Sequence, residues 1–207
     1  MANTWSAPRA QPVAERSQHT ATLLPSGLVL IAGGFDIVNG LLTPLTSAEL
    51  YDPVLHTTSS TDSHGVTTTT VTGGQDFTAA APMAFAHDGH SATRLADGRV
   101  VVVGGNTTQT EIFDPATAGW TTQGATAATH TSHGAVLLAD GRILVAGGTQ
   151  FAQPAAELFD PASGTWSAAA TMLVTRGNPT ATLLPDSSVM VCGGAPDSAG
   201  VDCETWW

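Results

Sequence analysis

Two adjacent glycines at the end of an apolar run occur four times in this chain, and that repeat limits the possible folds more than any other feature. The pairs are Gly33-Gly34, Gly104-Gly105, Gly147-Gly148 and Gly193-Gly194, in the contexts LVLIAGG, VVVVGG, ILVAGG and VMVCGG. A β-prone run that stops at two glycines must turn sharply there or let another backbone pass close by. A second motif follows each pair: AELYDP from Ala48, TEIFDP from Thr110, AELFDP from Ala156, and a degenerate copy, CETWW, from Cys203. Asp-Pro ends the first three copies, because Asp initiates turns and Pro cannot donate to a strand ladder. The glycine pairs lie 71, 43 and 46 residues apart, so the first copy carries an insertion, placed at about 54–76. Periods of this length mark propellers, solenoids or arrays.

The copy from Leu137 to Trp166 shows what one unit contains. An apolar run reaches Asp140-Gly141, which predicts a two-residue hairpin turn because both residues tolerate positive φ. A second run ends at Gly147-Gly148, Ala156–Phe159 forms a third strand, and a fourth starts at Trp166. Trp120 holds the same place in the second copy and Phe77 in the first. At the start of the chain, Asn3-Thr4-Trp5-Ser6 resembles Gly164-Thr165-Trp166-Ser167, so it reads as a fourth strand without the three that should precede it. The last copy stops at Trp207, after its third strand. Pairing the two ends would satisfy edges otherwise left bare.

These motifs resemble the kelch repeat, above all its bacterial form, R-x-x-H-x-A-x-L-L-x-x-G-x-V-L-V-x-G-G followed by A-E-L-Y-D-P and a later Trp. The resemblance covers nearly the whole chain. It implies an all-β fold: one domain, 1–207, forming a β-propeller of four kelch-type four-stranded antiparallel blades, with the N-terminal strand closing the last blade. Kelch rings usually have more blades. The N-terminal strand could therefore complete a neighbouring chain's blade, or the chain could be cut from, or assemble into, a larger propeller. The complementary ends favour a monomer, with a strand-exchanged dimer as the alternative.

Within the first copy, FDIVNGLLTPLTS (35–47) reads as a long loop. In the insertion, the Thr-Val alternation after Gly65 suggests an extra hairpin arm around His64-Gly65 or Gly73-Gly74. Gly73-Gly74 is read as a turn, since no apolar run precedes it. The arm is either a decoration of the outer strand or a partner-binding element.

The charge balance narrows the partners. No residue is lysine; the six cations are all arginine, and the net charge is −11. Nucleic-acid binding needs clustered positive charge, and docking to an anionic membrane needs the same, so neither is expected. No apolar run approaches the length of a membrane span. The N-terminus lacks the pattern of a secretory signal, which leaves secreted and cytoplasmic locations both open.

Candidate site residues cluster where each first strand begins: Arg16-Ser-Gln-His19, His87-Asp-Gly-His90, His130-Thr-Ser-His133 and Arg176-Gly-Asn-Pro179. Five of the seven histidines fall in these segments, in two columns. In a propeller such positions converge around the central channel. Arg16, His87, His130 and Arg176 would form a ligand-binding rim suited to an anionic or carboxylate ligand at the channel mouth. His19, His90 and His133 would form an inner layer able to hold a transition metal, Cu, Zn or Fe. The resemblance gives the inner column a second meaning, since histidine there belongs to the bacterial kelch pattern and supports the strand. His87 and His130 depart from that pattern by replacing its arginine. Kelch-type oxidases with a copper–tyrosyl centre need tyrosines beside histidines, and Tyr51, the only tyrosine, sits in a repeat-defining strand. No nucleophile elbow, phosphate-binding glycine loop or H-E-x-x-H motif is present.

Glu49, Glu111, Glu157 and Glu204 share one repeated position, which predicts structural pairing, with Arg99 and Arg142 as candidate partners. Cys192 and Cys203 fall in adjacent strands of the last copy, either as free thiols or as a disulfide suited to an oxidising compartment. The function expected is a binding or interaction module for a protein or small ligand at the channel rim, with no catalytic residue assigned. A metal-dependent enzyme with axial histidines, and a structural unit of a larger ring, are the alternatives.

Overall fold

The computed structural model describes residues 7–148, 156–194 and 202–207. The expected closing strand at Asn3–Ser6 lies outside the described residues. What is described is all-β, built from antiparallel sheets of two to four strands.

The first sheet contains β1 (Thr20–Leu23) and β2 (Val29–Ala32). A side hairpin follows, β3 (Phe35–Val38) and β4 (Leu41–Pro44), before the chain returns to the sheet as β5 (Ala48–Tyr51). A second hairpin, β6 (His56–Thr61) and β7 (Thr67–Gly73), precedes the outer strand β8 (Phe77–Ala79). The strand order is β1-β2-β5-β8. The second sheet is β9 (Ser91–Arg94), β10 (Val100–Val103), β11 (Thr110–Asp114) and β12 (Gly119–Thr122), and the third is β13 (Gly134–Leu137), β14 (Ile143–Ala146), β15 (Ala156–Asp160) and β16 (Thr165–Ala168). The fourth has three strands among the described residues: β17 (Thr180–Leu183), β18 (Val189–Cys192) and β19 (Cys203–Trp206).

The four sheets share one register. Val29 pairs with Tyr51, Val100 with Phe113, Ile143 with Phe159 and Val189 with Trp206. On the outer edge Phe77, Trp120 and Trp166 lie opposite Tyr51, Phe113 and Phe159, so Phe77 holds the tryptophan position, as the sequence predicts. The first turn of each unit departs from expectation. Leu138 N–H bonds to Arg142 C=O at 2.8 Å, leaving three residues in the loop rather than two, and Gly141 has positive φ. Asp140 accepts the Arg142 amide through its carboxylate, so only the glycine has to turn left-handed. The insertion does form an arm, turning at Ser63–Gly65 with Asp62 capping the amides of His64 and Val66. The segment after Gly34, read as a loop, is the β3–β4 hairpin with Asn39-Gly40 at its turn.

The sheets stack face to face. Val100 and Val102 pack with Leu30, Ala32 and Ala48 of the first sheet; Val101 and Val103 pack with Ile143 and Val145 of the third. Leu144, Ala146 and Leu158 in turn pack with Val189 and Val191 of the fourth. The middle strands β10 and β14 are therefore buried on both faces, which explains their unbroken apolar runs. Each such side chain contributes about 1.5–3 kcal/mol. In β2 and β18 burial alternates instead, because among the described residues the first and last sheets each have a neighbour on one side only. The inner strands β1, β9, β13 and β17 pack consecutively, and β17 does not pack on β1 to a similar extent.

Candidate functional site

Each inner strand is entered by a four-residue segment whose third residue turns left-handed: Gln18 at φ 53°, Gly89 at 63°, Ser132 at 55° and Asn178 at 51°. This kink sends the first side chain back into its own sheet and carries the fourth toward the sheet before it.

The first-position side chains do not form an open rim. His87, His130 and Arg176 are fully buried, and the Arg16 side chain is nearly so. Each binds at least a glycine carbonyl and a glutamate of its own sheet. His87 bonds to Gly104 C=O at 2.7 Å and to Glu111 at 3.2 Å; His130 bonds to Gly147 C=O at 2.7 Å and to Glu157 at 2.9 Å. Arg16 donates to Gly33 C=O and Glu49, and Arg176 to Gly193 C=O and Glu204. Carbonyl and carboxylate are both acceptors, so an imidazole and a guanidinium serve one geometry, and the Arg/His mixture needs no ligand to explain it. The expectation of a carboxylate-binding rim is corrected accordingly: these donors are already committed to the protein's own glutamates.

The glutamates complete the arrangement by accepting amides from the incoming segment. Glu49 takes those of Val13 and Ala14, Glu111 those of Ala84 and Phe85, Glu157 those of Ala127 and Ala128, and Glu204 that of Leu173. Burial opposes the charge on Glu111, but His87 and the two amides outweigh it and hold its carboxyl below the ordinary value. Arg99 and Arg142 are not the partners; they pair locally with Asp97 and Asp140, two residues earlier.

The fourth-position histidines likewise do not meet at one point. His90 Nε2 lies 2.9 Å from Thr20 Oγ1 on the first sheet, and His133 Nε2 lies 2.7 Å from Ser91 Oγ on the second. His19 is exposed. Burial, reinforced by neighbouring histidines, pushes both His90 and His133 down to about 3, so both rings are neutral at pH 7. Among the described residues no three His, Cys, Asp or Glu side chains are grouped so as to hold an ion. His90 and His133 of the inner layer therefore tie one sheet to the next.

Tryptophan supplies a further tie. Trp120 Nε1–H donates to Ala81 C=O at 2.8 Å, and Trp166 Nε1–H donates to Thr110 Oγ1 and Gly124 C=O. Cys192 and Cys203 face each other across β18 and β19 and are joined as a disulfide.

Residues outside the expected columns remain free to meet a partner. Ile37, Leu41 and Leu42 at the tip of the β3–β4 hairpin are 64%, 70% and 66% exposed. The base of this hairpin is held by paired 2.8 Å bonds between Ser17 and Phe35, at the end of the sheets where the inner strands begin. Asn39-Gly40 between aliphatic pairs is the sequence signal that marks it. No family model matches the chain, and no curated protein does.

Proposed function

We propose that the four sheets are kelch-type blades of a β-propeller and that the protein is an interaction module, binding a protein partner through the apolar tip of the β3–β4 hairpin. The propeller reading is supported by the common register, the inner-to-outer strand order and the consecutive packing of β1, β9, β13 and β17. It is also supported by the four Arg/His–glutamate locks, one per sheet. Those locks engage Arg16, His87, His130 and Arg176 with the protein's own glutamates, which favours a ligand contact elsewhere.

The observation that carries the binding role is the hairpin. It presents Ile37, Val38, Leu41 and Leu42 to solvent on a rigid, backbone-anchored support, and contiguous exposed aliphatics of this kind mark interaction sites. The disulfide fits an oxidising compartment. A displayed peptide library selected against the protein, with Ile37→Ser/Leu42→Ser as the counter-target, tests the role. Apolar peptides whose binding is lost in the variant are expected. Equal recovery on both proteins refutes the hairpin as the binding surface.

A further inference from the structure

Every junction between consecutive sheets repeats the same main-chain contacts. The second glycine of each pair donates its N–H to the carbonyl of the next sheet's entry residue: Gly34 to His87 at 2.7 Å, Gly105 to His130 at 2.6 Å, Gly148 to Arg176 at 2.7 Å. The first glycine lies under the same carbonyl, so that an added Cβ would stand 2.4 Å from it at Gly33, 2.3 Å at Gly104 and 2.8 Å at Gly147. The fourth entry residue then reaches back to a hydroxyl at the start of the preceding inner strand, His90 to Thr20 and His133 to Ser91. At the third junction Pro179 and Gly134 hold these two positions, and both halves of that tie are missing together.

The two ends of the stack carry unmatched halves of this pattern. On the last sheet, a Cβ on Gly193 would meet nothing within 4 Å. No acceptor among the described residues takes the Gly194 N–H, and Thr180 is exposed. On the first sheet, the Arg16 carbonyl accepts no bond among the described residues, and His19 is exposed. At one end stand the Gly194 donor and the Thr180 hydroxyl, which donates to Cys192 C=O at 3.5 Å and can still accept; at the other stand the Arg16 carbonyl and the His19 imidazole.

The bare faces match in the same way. Val29 and Ile31 stand where Val100 and Val102 bury against a preceding sheet, and Leu23, in the place of Leu137 and Leu183, is 56% exposed. Met190 stands where Leu30, Val101 and Leu144 bury against a following sheet, and it is 36% exposed.

We propose that a second copy of this chain covers both faces. The first sheet of each chain packs on the last sheet of the other, with Gly194 N–H donating to Arg16 C=O and His19 bonding Thr180 across each junction. Among the described residues one chain does not close on itself: three junctions are formed, and β17 and β1 pack on each other less than the strands of any of the three. Two chains supply eight sheets, within the four to eight at which propellers close, whereas three chains would exceed it. The two junctions are related by a two-fold axis, so the assembly ends there. This replaces the monomer that the complementary chain ends favoured, and it rests on reading the sheets as propeller blades.

Light scattering on the eluting protein tests it. The 21.0 kDa chain is expected to run at about 42 kDa. Leu23→Asp and Met190→Asp, each confirmed folded by circular dichroism, should each run as monomers. Their equimolar mixture should regain a dimer, because one intact junction remains between them. His19→Ala, which leaves the apolar faces untouched, should weaken dimerisation about tenfold or more, since one hydrogen bond is lost at both junctions. Wild-type protein that stays monomeric up to its solubility limit overturns the proposal, as does a ladder of larger assemblies. A Leu23→Asp variant that still dimerises alone overturns it too. A monomer that still selects hairpin-dependent peptides removes the ring and leaves the binding role standing; a dimer that selects none does the reverse.

Discussion

Acid should destabilise this protein in a window where its carboxylates are silent, and His90 and His133 set the size of the effect. Both imidazoles are buried between sheets and lowered from 6.5 to about 3. A group whose pKa is depressed by folding costs nothing above its unfolded value, here 6.5. Below that the unfolded chain takes up a proton that the folded chain refuses, and stability falls until the pH approaches 3. One pKa unit is 1.36 kcal/mol, so moving from pH 7.5 to 5.0 costs about 2 kcal/mol for each ring and roughly 4 kcal/mol for the pair. In a chain of this size 1 kcal/mol moves Tm by about 2–4 °C, which gives a fall of about 8–16 °C. Glu111, Asp97 and Asp140 are also held below their ordinary values of 4.5, 3.8 and 3.8, and their loss of stability begins below pH 5, outside the window. Melting followed by circular dichroism at pH 7.5 and 5.0 reads the difference. His90→Gln/His133→Gln keeps a polar group facing Thr20 and Ser91 but cannot titrate, so its Tm should be nearly flat between the two pH values. If the wild type and this variant lose the same Tm, the argument from burial is wrong.

Other substitutions separate the remaining contacts. Glu157→Ala leaves His130 and the amides of Ala127 and Ala128 buried without their acceptor, and should cost about 3–5 kcal/mol in urea unfolding. Trp166→Phe keeps the ring against Phe159 but loses donation to Thr110 and Gly124, a cost of about 1–2 kcal/mol by the same measurement. Reducing the Cys192–Cys203 bond, which closes a short loop, should cost about 2–3 kcal/mol and appear as a lower Tm in reductant. Removing the β6–β7 arm, which is exposed along nearly its whole length, should leave Tm unchanged within about 1 °C.

The repeat was legible because it is written in residues with narrow physical roles. Two glycines mark a close approach, Asp-Pro ends a strand, and an aromatic at the outer edge holds the register even where Phe77 replaces tryptophan. The site was only half legible. Periodicity places Arg16, His87, His130 and Arg176 at equivalent positions, but it does not say which way a side chain points. The left-handed residue two positions later turns them inward, and neither Gln18 nor Ser132 announces such a φ. A usable signal was nevertheless present. Four Arg or His residues and four glutamates recur with matched spacing, so pairing column with column identifies the locks, whereas pairing glutamates with Arg99 and Arg142 overlooks the aspartates two residues before each arginine. The uncovered end faces lie beyond periodicity altogether, because β2 and β10 are equally apolar in sequence and differ only in having one neighbour or two.

The bond from each second glycine to the next entry carbonyl joins one main chain to another; it requires glycine at the donor end, where a Cβ would clash, but asks nothing of the side chain on the residue that offers the carbonyl. His87, His130 and Arg176 all present the same carbonyl whatever their own chemistry. Sheets fastened in this way are interchangeable parts: a duplicated unit finds a ready socket behind any other, without compensating changes on its neighbour. Lengthening or shortening the array by whole units is therefore a small step for such a sequence. The residues of each unit can then differ, as they do at Pro179 and Gly134, while the seam between units holds.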